Sequence, residues 1–122
     1  MANAFVNKKV DLTSTSATTL YTVPSATTLY TVPSFSTSII KSILVSDDSG
    51  SGDTITVTIT DTSDNVFSLF KTKSISANGT TELLSAPLVL EESEILKVTA
   101  ATANRLHVIL SALESKPREV TT

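Results

Sequence analysis

The chain has 122 residues, a formal net charge of −3, 40% hydrophobic residues and no cysteine. That is the size of one domain with material for a single core, and it excludes two independently stable domains, a disulfide framework and a thiolate metal site. Cations come close together only in pairs, such as Lys8-Lys9 and Lys71-Thr72-Lys73, so neither a nucleic acid nor an anionic membrane is expected as a partner.

Residues 1–12, MANAFVNKKVDL, hold no apolar run long enough for a signal peptide, and no later segment approaches a membrane span. A protein made in a cytosol is therefore expected. Serine and threonine together supply 39 residues, against four Phe, two Tyr and no Trp. Threonine is β-branched and suits a pleated, half-exposed surface, so the composition is that of an all-β protein with hydroxyl-coated faces.

Next comes a doubled phrase: SATTLYTVP fills residues 16–24 and again residues 25–33. Leu20-Tyr21-Thr22-Val23 and Leu29-Tyr30-Thr31-Val32 have strand propensity, and each run ends at a proline that cannot donate to a ladder. The offset of nine is odd, so one continuous strand would point Leu20 and Leu29 to opposite faces. A stacked-repeat architecture would need at least three copies. The reading is two extended pieces hinged at Pro24. The second runs into the first core strand, and the first is an arm that lies along a neighbouring subunit or adds a strand to its sheet. A duplication that merely lengthens the arm is the alternative. Leu20, Tyr21, Val23, Leu29, Tyr30 and Val32 are the expected assembly residues, and deleting residues 1–24 is expected to spare folding while weakening assembly.

STSIIKSILVS then reads as a strand, SDDSGSGD (46–53) as a turn, and DTITVTITD (53–61) as a strand with Ile55, Val57 and Ile59 on one face. The two strands are expected to pair as a hairpin. DTSDN (61–65) reverses the chain into VFSLF (66–70), and Lys71 and Lys73 guard an edge. Asn78-Gly79 is a strong hairpin signal between SIS and TTELL. After Pro87 come LVL, the acidic turn EESE, ILKVTA (95–100), the turn ATAN and RLHVILSALE (105–114), with Leu106, Val108 and Leu110 on one face. About seven to nine short strands and no convincing helix predict a single antiparallel β-sandwich, jelly-roll-like or immunoglobulin-like, with an extended N-terminal arm. Residues 1–33 are read as the arm and the strand leading into the core, 34–114 as the sandwich and 115–122 as a flexible tail.

Chemistry is sparse. His107 sits alone in a strand, beside Arg105 and Ile109 on a solvated or interface face, and a catalytic histidine needs a nucleophile and an orienting acid. Carboxylates gather at Asp47, Asp48 and Asp53, at Asp61 and Asp64, and at Glu91, Glu92 and Glu94. They read as turn solubility rather than Ca²⁺ ligands, because DDSGSGD lacks the alternation and terminal Glu of an EF-hand loop. Three glycines form no phosphate loop. No catalytic residue, cofactor or metal is expected, and the chain reads as a non-enzyme.

The phrases MANAF, ATTLYTVPSATT, SIIKSILVSDDSG, ITVTITDTS, LVLEESEILKVTA and LHVILSALE together resemble small virion structural proteins of tailed bacteriophages, especially those infecting marine cyanobacteria. This chain departs from that pattern in the extra SATTLYTVP and in the charged tail after Glu114. The resemblance implies a structural subunit without enzymatic activity, located in the virion after synthesis in the host cytoplasm. The implied role is capsid decoration or cementing by a homo-oligomer bound to the major capsid protein or other virion proteins. Neck, tail or fibre placement is the alternative, including a carbohydrate-binding adhesin that would show an exposed aromatic or a Ca²⁺ site in SDDSGSGD.

Overall fold

The computed structural model describes residues 2–22 and 37–116. Among these, nine strands form in chain order: β1 (Ala2–Asp11), β2 (Thr18–Thr22), β3 (Thr37–Asp47), β4 (Asp53–Thr60), β5 (Val66–Ile75), β6 (Thr80–Glu82), β7 (Leu88–Glu91), β8 (Ile95–Ala100) and β9 (Leu106–Lys116). One antiparallel sheet runs β1-β9-β3-β6, with β7 also on β3; the other runs β2-β8-β4-β5. Their inner faces pack as a β-sandwich, the expected fold, with no helix among the described residues.

The inner faces follow from period two. On β9, Leu106, Val108, Leu110 and Ala112 are buried while His107, Ile109 and Ser111 alternate outward. β4 turns Ile55 and Val57 inward, and β8 does the same with Leu96, Val98 and Ala100. β3 breaks the rule once. Ile40 and Ile43 are both buried, because a bulge between Ile40 and Ser42 leaves Lys41 outside and resets the alternation. Beside the bulge, the Ile43 N–H on β3 is taken up by Glu82 of β6. Its carboxylate accepts the Ile43 N–H at 2.8 Å, the Leu84 N–H at 3.2 Å and the Ser42 hydroxyl.

Two expected hairpins and one expected turn are sheet crossings. β3 and β4 lie in different sheets, so SDDSGSGD is a corner between layers; Asn78-Gly79 leads from β5 to β6, which pairs with β3; and EESE joins β7 to β8 across the sandwich. Turn chemistry fixes that the chain reverses, while the burial of both inner faces decides which sheet receives the next strand. DTSDN reverses the chain as expected, and it pairs β4 with β5 in a hairpin. β5, carrying Lys71 and Lys73, is an edge strand as expected.

The N-terminal stretch also differs from its reading as an arm. β1 pairs with β9 along its whole length, Ala2 opposite Lys116 through Asp11 opposite His107. Leu12 is fully buried, and its N–H and carbonyl bond to Leu106 and Asn104.

Two turn aspartates are held as anions. Asp47 accepts the Ser49 hydroxyl at 2.7 Å and the Ser49 N–H at 2.6 Å, which holds its carboxyl below the usual range. Asp61 accepts the N–H groups of Asn65 and Ser63, both at 2.9 Å, with the same consequence. A carboxyl depressed in the folded state contributes stability that is complete above its unfolded pKa, about 3.9, and is lost as pH falls through the folded value. Thermal unfolding midpoints are therefore expected to hold from pH 7 to about 5 and to fall below about 4. Asp47→Asn and Asp61→Asn are each expected to flatten that acid limb; an unchanged limb in both would refute the assignment.

Candidate assembly surfaces

Three features of the fold present chemistry that packing alone does not require. The first is internal. β2 pairs with β8 through Thr18–Val98, Thr19–Lys97, Tyr21–Leu96 and Thr22–Ile95, with a register shift between Thr19 and Tyr21. That bulge turns two successive residues inward, so Leu20 and Tyr21 are 4% and 2% exposed. The Tyr21 hydroxyl crosses the sandwich and donates to Glu114 Oε2 at 2.5 Å, while the Ser38 hydroxyl, 2.7 Å away, donates to it. Ser38 and Glu114 are direct cross-strand partners on β3 and β9, both buried. Burial, and then the Glu114 carboxylate, push the Tyr21 phenol well above its ordinary value. The result is a polar clamp between the two sheets.

This placement corrects the reading of the doubled phrase. The first copy, expected as the free arm, supplies a core strand, because its bulge buries Leu20 and Tyr21 together. Their surface is covered by this chain's own sheets. Val23, Leu29, Tyr30 and Val32 lie outside the described residues.

The second feature is an apolar band on the outer face of the first sheet. Phe5 is opposite Leu113, Leu113 is opposite Ile39, and Ile39 is opposite Val89. The band thus crosses β1, β9, β3 and β7, a span of about 14 Å at the usual strand spacing. Its ends are its most open parts: Phe5 is 80% exposed and Val89 58%. A shallow groove of about 270 Å³ lies beside Phe5, lined also by Val6, Asn7, Lys41, Ser111 and Ala112. An apolar row that is half-buried in the middle and exposed at both ends fits a contact site. Four strands that are distant in sequence build it, so no single segment announces it.

A third feature is the open edge at β5, where Val66, Phe67 and Leu69 are exposed. At one end of the sandwich, His107 bridges two acids: Nε2 is 3.3 Å from Asp11 and Nδ1 is 3.8 Å from Asp48. These half-exposed contacts tie β1, β9 and the β3–β4 corner together, and at such exposure each is worth about 0–1 kcal/mol. Among the described residues, no three His, Cys, Asp or Glu side chains are grouped to hold a metal ion, and no helix is long and apolar enough to cross a membrane.

No protein-family model matches the chain, and no curated protein matches it.

Proposed function

We propose that this chain is a non-enzymatic structural component of a tailed-bacteriophage particle, a decoration or cement protein held on the capsid exterior in many copies. The observation that carries the reading is the Phe5–Leu113–Ile39–Val89 band, a pre-formed apolar face on a rigid sheet. Such a face binds through shape and buried area rather than through reactive groups. The partner is the major capsid protein or another virion protein, and repeated copies multiply a modest contact into a durable one.

Protein stoichiometry of purified particles tests the placement. Hundreds of copies support the capsid, a dozen or so move the protein to the neck or tail, and absence from particles overturns the reading. Phe5→Asp and Val89→Asp test the band. Both side chains are exposed, so melting is expected to shift little, while replacing both apolar ends of the band by charges is expected to lower particle binding by about 30-fold or more. Unchanged binding in the double variant would exclude this face as the contact.

A further inference from the structure

We propose that the edge of β8 is a socket for the phrase SATTLYTVP that accepts either of the chain's two copies, so that residues 27–31 can replace Thr18–Thr22. The features that seat the first copy on β8 lie within five residues: the four backbone pairs with β8, the bulge, the Leu20 side chain and the Tyr21 hydroxyl on Glu114. Thr27, Thr28, Leu29, Tyr30 and Thr31 repeat those residues in order, and the flanking Ser-Ala and Val-Pro are repeated as well. Two identical occupants make identical contacts in one socket. Only the connections to β1 and β3 distinguish them.

Those connections close almost equally well. With the first copy seated, six residues (12–17) link β1 to β2 and fourteen (23–36) link β2 to β3; with the second seated, the links become fifteen (12–26) and five (32–36). A five-residue link reaches about 16–18 Å when extended, against roughly 10 Å between packed sheets. The distance to be crossed is a sheet-to-sheet one, because the Tyr21 hydroxyl already touches Ser38 at the start of β3. Loop closure scales as the 3/2 power of length, and the products 6 × 14 and 15 × 5 differ by a factor of about 1.2 after that exponent. Leu12 stays anchored to Leu106 and Asn104 ahead of both links. The two registers are therefore of nearly equal stability.

Tyr21 and Tyr30 are the chain's two tyrosines, which makes the exchange measurable. Loss of a hydrogen bond to a buried carboxylate lowers the folding constant of one register about ten- to a hundredfold. If both registers are available, Tyr21→Phe and Tyr30→Phe each lower the urea-derived folding constant only about twofold, and the double variant lowers it about ten- to a hundredfold. In the Tyr21→Phe protein, the remaining phenol should resist ionisation beyond pH 10, its ordinary value. A full loss from Tyr21→Phe alone, with Tyr30 titrating normally, overturns the proposal. Deletion supplies a second test, because removing residues 16–24 or 25–33 leaves the same shortened chain. That chain is expected to fold as a monomer with a folding constant within a few-fold of the parent. Failure to fold, or folding only as a dimer, would show that the five-residue link cannot close within one chain.

Discussion

Removing residues 1–33 is expected to abolish cooperative folding. The deletion takes β1 from the edge of β9 and every copy of the phrase that fills the β8 edge. It also removes Leu12, Leu20 and Tyr21, three side chains at most 4% exposed. Burial of one large apolar side chain stabilises by about 1.5–3 kcal/mol, so the three account for about 5–9 kcal/mol. A domain of this size has about 5–15 kcal/mol of net stability. The loss of strand pairing is added to that, and two inner-sheet strands are left with bare edges. Circular dichroism through a thermal ramp is the check: a sloping, non-cooperative signal is expected, and a sigmoidal melt within a few degrees of the parent would return these residues to the status of an arm. Removing residues 1–24 takes β1 and Leu12 but leaves one copy of the phrase. If the β8 socket accepts that copy, this shorter truncation melts cooperatively at a temperature between the two extremes.

The contrast between that outcome and the sequence reading has a specific physical source. DTITVTITD and RLHVILSALE announce their strands and inner faces because each keeps an unbroken period of two. A bulge erases that signal. Leu20 and Tyr21 face the same way only because the register shifts beside them, and counting parity along the phrase cannot show it. Lys41 does the same inside β3, where SIIKSILVS reads as one strand but is two alternating segments out of phase. The crossings were hidden for another reason. A turn such as Asn78-Gly79 constrains four residues, whereas the choice between returning to the same sheet and crossing depends on partners more than thirty positions away, such as Val45 opposite Thr81. The Phe5–Leu113–Ile39–Val89 band is entirely a product of such long-range register. The inward place of Glu114, by contrast, is legible from parity alone. Continuing the period from Leu106 through Ala112 places residue 114 on the inner face, and a carboxylate there requires donors.

Glu114→Ala is accordingly expected to cost about 2–4 kcal/mol, the sum of a hydrogen bond to a buried charge and the cavity left by the side chain. In urea, where a chain of this size has a slope of about 1–3 kcal/mol per molar, that moves the midpoint down by about 1 M or more. Glu114→Gln keeps an acceptor oxygen for the tyrosine hydroxyl and is expected to lose less than half as much. The informative comparison is with Tyr21→Phe, which removes the same bond from its other end. If Tyr21 were the sole tyrosine able to reach Glu114, deleting either end would cost comparable amounts once the cavity is allowed for. The carboxylate belongs to the socket and the hydroxyl to its occupant. A second occupant can replace a damaged first one, but nothing replaces Glu114. Glu114→Ala should therefore lower the folding constant by a factor of tens to hundreds where Tyr21→Phe lowers it about twofold. Equal losses from the two substitutions would tie the clamp to Tyr21 alone.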